Sequence, residues 1–198
     1  MTRLLKTVVV GKSGVGKTSM LIRKVRNFFP AEYIPTVFDS HIEPFRHDGE
    51  DYDLALWDTG GAEEYDRLRP LSYPNTSFFL LCFAVDDPES FERIESLFVP
   101  ELKRFAPGVP IILVGLRVDL RSDSQHQQRL LDRGVFPYTF TQGLHLAERI
   151  GAARYMECSA LTGDGVDAVF GAGVAVGLDY ENRKPELQKK PWWKVRLN

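Results

Sequence analysis

The sequence has few cysteines and no long apolar run. Its two cysteines, Cys82 and Cys158, are too few for a disulfide framework, so a reducing compartment fits best. The longest apolar stretches, residues 78–85 and 109–116, fall well short of the ~20 residues that a membrane-spanning helix needs. Internal repeats and low-complexity segments are also absent. These absences favour one globular domain with its own hydrophobic core.

The sequence also lacks an excess of basic residues, since its formal net charge is −2. Residues 183–198 carry a net charge of +5, which leaves −7 on the remainder of the chain. A body this acidic argues against a basic nucleic-acid-binding face, and we therefore expect no nucleic-acid partner.

Short strands alternate with helices along the chain. Strands are predicted at residues 4–10, 41–46, 52–57, 78–85, 111–115 and 154–158. Helices are predicted at residues 17–26, 88–104, 140–150 and 166–178. The Asp48-Gly49 pair predicts a hairpin turn, and Asp87 before Pro88 predicts a helix N-cap. This alternation predicts an α/β fold with six strands, mostly parallel but with one antiparallel edge hairpin, and a ligand site at the carboxyl ends of the strands.

A phosphate-binding loop follows the first predicted strand. Residues 11–18 read GKSGVGKT and fit the pattern G-x-x-x-x-G-K-[ST] in full. Because a predicted strand precedes the motif and a predicted helix follows it, a chance glycine-rich turn is the weaker explanation. Backbone N–H groups would hold the anion, Lys17 would contact the β- and γ-phosphates, and Thr18 would ligate Mg²⁺. We expect the chain to bind a nucleoside triphosphate.

Further motifs occur in a fixed order along the chain. Four segments resemble the first switch region, the D-x-x-G motif, the second switch region and the guanine loop of Rho proteins: residues 32–39 (EYIPTVFD), 57–61 (WDTGG), 65–74 (YDRLRPLSYP) and 157–161 (ECSAL). Residues 121–134 occupy the place of the short helical insert that distinguishes Rho proteins within the Ras superfamily. The chain thus resembles a Rho-family small GTPase with the P-loop NTPase fold. The GTPase (G) domain would cover residues 1–180, and residues 181–198 would form a C-terminal tail.

The resemblance implies guanine nucleotides, GTP and GDP, as the ligands. Asp119 would accept hydrogen bonds from guanine N1 and N2, and the backbone N–H of Ala160 would donate to guanine O6. Phe29 would lie against the base or the ribose. The implied nucleotide-binding residues are Ser13, Gly14, Val15, Gly16, Lys17, Thr18, Ser19, Phe29, Tyr33, Thr36, Gly61, Arg117, Asp119, Ser159, Ala160 and Leu161.

The resemblance also implies Mg²⁺ and a conformational switch. Thr18 and Thr36 would ligate the metal, and Asp58 would hold one of its water molecules. Thr36 and the backbone N–H of Gly61 would both contact the γ-phosphate, so one phosphate group would order two loops. The implied effector-binding residues are Val37, Phe38, Asp39, Tyr65, Arg67, Leu68 and Leu71. Exchange factors and GTPase-activating proteins are further implied partners, cytoskeletal signalling is the role that family analogy favours, and we expect a monomer.

Three residues near the γ-phosphate differ from the Rho pattern. Ala62 stands where Rho proteins usually have the glutamine that orients the attacking water. Ser13 replaces a glycine and crowds the space for that glutamine and an arginine finger, while Gly60 replaces an alanine. We therefore predict that GTP binding is retained and that hydrolysis is slow or nearly absent, as in the GTPase-deficient Rnd-like branch. The alternative is that Glu63 or Lys12 positions the water.

The base-binding motif also departs from the family. The usual [N/T]-K-x-D pattern is Leu116-Arg117-Val118-Asp119 here. Arg117 can stack along the base as a lysine stem does, but with different geometry. Leu116 cannot make the polar tie to the phosphate loop that threonine or asparagine makes. One expectation is that guanine nucleotides bind more weakly and exchange faster. The other is that apolar contact from Leu116 compensates for the lost polar tie.

The last predicted helix contains three glycines, Gly171, Gly173 and Gly177, although each costs about 1 kcal/mol relative to alanine in a helix interior.

Beyond this helix the sequence has no cysteine, so we expect neither prenylation nor palmitoylation of the tail as written. A cluster of basic and tryptophan residues suits weak contact with an anionic membrane: Lys189, Lys190, Trp192, Trp193 and Lys194. A solvated tail is the alternative. We expect a cytoplasmic protein, peripheral at a membrane if the tail binds there.

Three functions remain open from the sequence. The first is a Rho-like switch biased towards its GTP-bound form, and the second is a normally cycling GTPase that activating proteins assist. The third is an interaction module in which GTP is a permanent structural cofactor. A P-loop kinase or ATPase is less well supported, because no acceptor-binding or lid segment is evident in the sequence.

Overall fold

A computed structural model of the chain describes residues 2–30 and 38–189. The described residues form one sheet with the strand order β2-β3-β1-β4-β5-β6. Its strands are β1 (Arg3–Gly11), β2 (Phe38–His47), β3 (Glu50–Thr59), β4 (Phe78–Ala84), β5 (Ile111–Leu116) and β6 (Arg154–Cys158). β2 is antiparallel to β3, and the other neighbouring strands are parallel. The predicted sheet, with its single antiparallel edge hairpin, is confirmed.

Helices flank this sheet. They are α1 (Lys17–Arg26), α2 (Pro88–Arg93), α3 (Val99–Phe105), α4 (Ser124–Leu131), α5 (Phe140–Ile150) and α6 (Val166–Lys189). The predicted helix at residues 88–104 is interrupted, because a π-helical turn at Ile94–Phe98 separates α2 from α3. Pro100, the second residue of α3, has no N–H to donate to the carbonyl four residues back, which accounts for the local change in the helix.

Two hydrophobic layers hold the helices on opposite faces of the sheet. On one face, α1 and α6 pack on the strands through Met20, Val169, Phe170 and Val174, all of them fully buried. On the other face, the layer includes Ile94, Phe98, Leu102, Leu146 and Ile150. Every residue of β4 and β5 is buried, which is why both strands read as continuous apolar runs in the sequence.

Local turn and capping groups set several element boundaries, two of them as predicted. The Asp87 carboxylate accepts a hydrogen bond from the backbone N–H of Ser90 and begins α2. Asp48 and Gly49 both have positive φ, at 48° and 84°, as a tight hairpin turn requires. Within the segment predicted as a helical insert, Asp123 caps α4 by accepting from two backbone N–H groups.

The glycines of α6 have a packing explanation. A Cβ at Gly173 would lie 2.3 Å from the ring of Phe78, and one at Gly177 would lie 2.7 Å from it, so only glycine lets the helix approach β4 this closely. Gly171 has open space around its Cα, and nothing in the structure explains it.

Helix α6 continues to Lys189, so the predicted end at residue 178 is wrong, and the tail segment begins as helix. No helix in the described part of the chain combines the length and hydropathy that crossing a bilayer demands.

Candidate nucleotide-binding site

The phosphate loop connects β1 to α1 at the carboxyl edge of the sheet. Gly11 has a φ of 146°, and a Cβ there would lie 2.2 Å from the carbonyl oxygen of Cys82 on β4. Gly14 and Gly16 are also in left-handed conformations, with φ values of 78° and 107°. The side chain of Val15 is fully buried in the core. The loop is thus anchored by one apolar side chain and curls through conformations that its glycines permit, which is the cradle that a phosphate requires.

Lys17 lies at the start of α1 and is buried, with 6% of the residue exposed. Its Nζ donates to the carbonyl oxygens of Gly11 at 2.8 Å and Lys12 at 2.9 Å. Burial lowers the pKa of Lys17 to about 8. An anion in the loop would favour the charged form of this lysine, so the site is suited to a phosphate.

The two described candidates for holding Mg²⁺ are in direct contact. The Thr18 hydroxyl donates to Oδ2 of Asp58 at 2.5 Å, and Asp58 is 4% exposed near the end of β3. Hydroxyl and carboxylate oxygens are the hard ligands that Mg²⁺ prefers, so this pair fits the implied metal. The β2–β3 register places Asp39 directly opposite Asp58, which brings the end of the first switch region beside the metal site.

The D-x-x-G segment packs against the phosphate loop. The backbone N–H of Ser13 donates to the carbonyl of Gly61 at 3.2 Å. A Cβ at Gly61 would lie 2.2 Å from the carbonyl oxygen of Gly11, so this position has no room for a side chain. Ala62 follows in extended conformation and precedes a 3₁₀ helix at Glu63–Tyr65. The residues that depart from the Rho pattern, Ser13 and Ala62, therefore lie on two backbones in contact.

Both side chains that could replace the missing glutamine form ion pairs with α2 or its cap. Lys12 Nζ lies 2.9 Å from Asp87 Oδ2 and 2.8 Å from Glu89 Oε2. Burial opposes the charge of Lys12, but hydrogen bonds to these two carboxylates outweigh it and raise the pKa of Lys12. Glu63 Oε1 accepts from Arg93 at 2.7 Å. Both side chains are therefore engaged with α2 or its N-cap.

The predicted guanine-binding residues come together at the ends of β5 and β6. The Ser159 hydroxyl, fully buried, donates to Oδ1 of Asp119 at 2.5 Å. Ser159 Oγ also accepts from the backbone N–H of Thr162 at 3.2 Å. Ala160 and Leu161 follow Ser159 in the same loop. The carboxylate that would bind the guanine edge is therefore held by the loop that would bind O6.

Arg117 occupies a left-handed conformation between β5 and a 3₁₀ helix, with a φ of 63°. Its Nε lies 3.2 Å from Oδ1 of Asp86, whose Oδ2 is 3.0 Å from Nε2 of His126 on α4. A Cβ at Gly16 would lie 3.9 Å from side-chain carbons of both Arg117 and Leu116. Both side chains thus border the phosphate loop at Gly16. Asp86 was not predicted from the sequence, although two aspartates directly after a buried strand were a signal for it.

A Ras-family model matches residues 6–176 of the chain. The chain belongs to the Ras family. Proteins of this family are small GTPases that bind guanine nucleotides with Mg²⁺ and interact with effectors, exchange factors and activating proteins. This confirms the predicted small G-protein fold, and it makes this Ras-family chain a GTP-binding switch domain. The match ends within α6.

The second switch region of this Ras-family domain is fastened to α3 by a buried arginine. Arg69 donates to both carboxylate oxygens of Glu101, at 3.0 Å and 2.6 Å, and to Asp66 at 2.9 Å. Burial would lower the pKa of Arg69, but the bonds to Glu101 outweigh it and raise the pKa. Tyr73 donates to Glu101 as well. In contrast, Leu68 is 57% exposed in the same segment.

The remaining predicted residues of the Ras-family site divide into two groups. Phe29, Asp39, Arg67 and Leu71 are exposed, and Ser19 and Tyr65 are partly buried. Tyr33, Thr36, Val37, Lys190, Trp192, Trp193 and Lys194 lie outside the described residues, as do the side chains of Phe38 and Lys189. The predictions for this second group stay predictions.

Proposed function

We propose that this Ras-family protein is a Rho-like signalling switch that stays mostly in its GTP-bound form because it hydrolyses GTP slowly. The observation that carries the proposal is the contact between the Ser13 and Gly61 backbones, with Ala62 following at the place of the family's glutamine. The binding groups around this contact are intact, whereas the group that would orient water is missing.

Nucleotide binding rests on three parts of the site. The loop ending in Lys17 would hold the phosphates, the Thr18–Asp58 pair would hold Mg²⁺, and Asp119 would select guanine. When bound, Mg²⁺ neutralises charge on the β- and γ-phosphates and fixes their orientation. Lys17 would leave its carbonyl partners and direct its charge at the same phosphates. These groups bind GTP and GDP in similar ways, and none of them activates a water molecule.

Slow hydrolysis follows from the geometry beside this site. Alanine has no hydrogen-bonding side-chain atom, so Ala62 can neither orient water nor stabilise transition-state charge. Lys12 and Glu63 are held by ion pairs at 2.7–2.9 Å with Asp87, Glu89 and Arg93, which directs them towards α2. Catalytic positioning tolerates errors of only about 0.5 Å, so neither side chain is a ready substitute.

The Rho-like assignment rests on the two switch motifs and on α4, which lies within residues 121–134 where Rho proteins carry their insert. Effector binding would use Asp39 at the start of β2 and the exposed Leu68 and Leu71 of the second switch. Beneath these leucines lies a cavity of about 270 Å³ that Arg69 also lines. An exposed apolar surface of this kind suits a protein partner. Location in the cytoplasm, with weak membrane contact through the basic tail, completes the proposal.

Single-turnover hydrolysis tests this proposal. The protein is loaded with γ-labelled GTP, and phosphate release is followed with and without a Rho GTPase-activating protein. We expect release on the order of 10⁻⁴ s⁻¹ or slower, with the usual ~10⁵-fold stimulation largely missing. Acceleration by several orders of magnitude would establish a normally cycling GTPase instead.

The nucleotide off-rate, measured in parallel with and without EDTA, separates a switch from a structural cofactor. A switch should release nucleotide faster when EDTA removes Mg²⁺, because Thr18 and Asp58 would hold the phosphates only through the metal. No exchange over hours in either condition would contradict the switch and favour GTP as a permanent part of the fold.

A further inference from the structure

Arg23 on α1 joins two parts of the proposed base site that are distant in the sequence. Its Nε donates to the carbonyl of Ala160 at 2.7 Å, and its NH2 group donates to the carbonyl of Leu161 at 2.6 Å. Its NH1 group donates to the carbonyl of Asn27 at 3.1 Å. From these contacts we infer that Arg23 is a positioning residue for guanine, which fixes the loop whose backbone N–H donates to guanine O6. This inference rests on the proposed guanine binding.

The loop is held on both sides of Ala160. On the N-terminal side, the backbone N–H of Ser159 donates to the carbonyl of Asp164 at 2.9 Å. On the C-terminal side, the carbonyls of Ala160 and Leu161 both accept from the guanidinium of Arg23. Because the peptides on either side are fixed, the direction of the Ala160 N–H is fixed too. Without Arg23, the loop keeps its bonds at Ser159, whose carbonyl also accepts from the backbone N–H of Gly163 at 2.9 Å, but the carbonyls of Ala160 and Leu161 lose their shared donor.

Arginine has the geometry that this position needs. Its planar guanidinium donates in several fixed directions, and hydrogen bonds from a charged donor are stronger than neutral ones. The residue is half-buried, and Gly163 comes close to it, since a Cβ there would lie 3.8 Å from Arg23 Cδ. A lysine could reach one carbonyl, but it could not hold two neighbouring carbonyls in a fixed plane.

The hydrogen bond from Arg23 to Asn27 also connects the guanidinium to the opposite side of the proposed base site, where Phe29 lies. Asn27 ends α1 in a left-handed conformation, with its backbone N–H bonded to the carbonyl of Arg23. Phe29, which would lie against the base or ribose, follows two residues later. One guanidinium therefore holds the chain leading to Phe29 and the loop containing Ala160.

The test compares nucleotides that differ at one edge of the base. 6-Thioguanosine triphosphate lacks O6, because sulfur, a weaker acceptor, takes its place while N1–H and N2 are kept, and inosine triphosphate lacks the N2 amino group that Asp119 would bind. Affinities for GTP and both analogues are measured on the wild type, Arg23→Ala, Arg23→Lys and the control Lys24→Ala. Lys24 is the neighbouring cation on α1, and it pairs with Asp167 of α6 at 2.6 Å instead of with the loop. The melting temperature of each nucleotide-free variant checks that it is folded.

We expect Arg23→Ala to reduce the preference for GTP over the O6-lacking analogue by about tenfold, a loss typical of one misplaced hydrogen bond. The preference for GTP over inosine triphosphate should not change, because the Ser159–Asp119 bond remains. Arg23→Lys should recover part of the O6 preference, and Lys24→Ala should keep all of it. If both preferences fall together, or neither changes, the specific role of Arg23 is overturned. A wild type that does not prefer GTP over the O6-lacking analogue would instead contradict the proposed binding of O6 by Ala160.

Discussion

Lys12 and Glu63 are the two side chains close in sequence that could position the attacking water in place of the family's glutamine. Both are polar, and both lie within two residues of a position that departs from the Rho pattern. Each is held by an ion pair with the α2 region, at 2.8–2.9 Å for Lys12 and 2.7 Å for Glu63. Lys12 is only about one-fifth exposed, so breaking its pairs would leave charges poorly solvated. These ion pairs support the proposal that neither side chain positions the attacking water.

Restoring the family residues should restore hydrolysis. In the double variant Ala62→Gln with Ser13→Gly, we expect intrinsic phosphate release to rise at least about tenfold, and an activating protein to recover much of its ~10⁵-fold effect. The measurement is single-turnover release of γ-phosphate. The single variant Ala62→Gln is the matched control, and it should recover less because Ser13 still crowds the site. A double variant as slow as the wild type would show that Ala62 and Ser13 are not the cause.

Lys17 should make nucleotide binding depend on pH. Burial lowers the pKa of Lys17 to about 8, and bound phosphate would raise this pKa by favouring the charged form. Binding of GDP at pH 8.5 should therefore take up about three-quarters of a proton, against about one-tenth at pH 7. Calorimetry in two buffers with different ionisation enthalpies measures this uptake. Equal uptake at the two pH values would show that Lys17 is already fully charged in the nucleotide-free protein.

At the scale of elements, the glycines of α6 offer a matched pair of substitutions. Gly173→Ala should lower the free energy of unfolding by about 1–3 kcal/mol, because its Cβ would overlap the ring of Phe78. Gly171→Ala should raise it by up to about 1 kcal/mol, because open space surrounds that position and alanine favours helix. Urea denaturation measures both. Equal effects of the two substitutions would contradict the close approach of α6 to β4.

Local signals explain which elements were predicted correctly from the sequence. The bounds of α5 and β6 agree with the predictions, and α5 has a capping box formed by Thr139 and Gln142 within its first turn. The phosphate loop was equally easy to recognise in the sequence, because its motif is contiguous with the strand before it and the helix after it. In contrast, the end of α6 was placed eleven residues too early, since the apolar spacing that packs the helix on the sheet ends near residue 178 while the helix itself continues to Lys189.

Contacts across long sequence distances could not be predicted. Arg23 reaches Ala160, 137 residues away, and Arg69 reaches Glu101, 32 residues away. In the sequence, both arginines read as ordinary surface cations. Only the packing of α1 beside the guanine loop, and of the second switch beside α3, gives them partners. The candidate ligand-binding residues were therefore easier to identify from the sequence than the residues that hold them in place.

At the scale of the whole molecule, two buried thiols report how often the fold opens. Burial raises the pKa of Cys158 to about 12 and that of Cys82 still further from its ordinary value. A thiol reagent at neutral pH should therefore modify the native protein slowly and the urea-unfolded protein at once, at two thiols. GTP with Mg²⁺ at 1,000 times its Kd should slow the native reaction by up to ~10³-fold, because ligand binding disfavours open states. Adding EDTA should reverse much of this protection. Fast labelling of both thiols in the native state would contradict the burial.

The hydrogen bonds of Arg69 bear on which residues can move when GDP replaces GTP. The guanidinium is fully enclosed and the Glu101 side chain is 9% exposed, so separating them would strand two charges away from water. We therefore expect residues 66–73 to stay with α3 when the nucleotide changes, and any rearrangement of the second switch region to be concentrated between Gly60 and Tyr65. Movement of this short segment alone would signal the presence of the γ-phosphate at the protein surface. Most of the surface that a partner would contact would keep its shape.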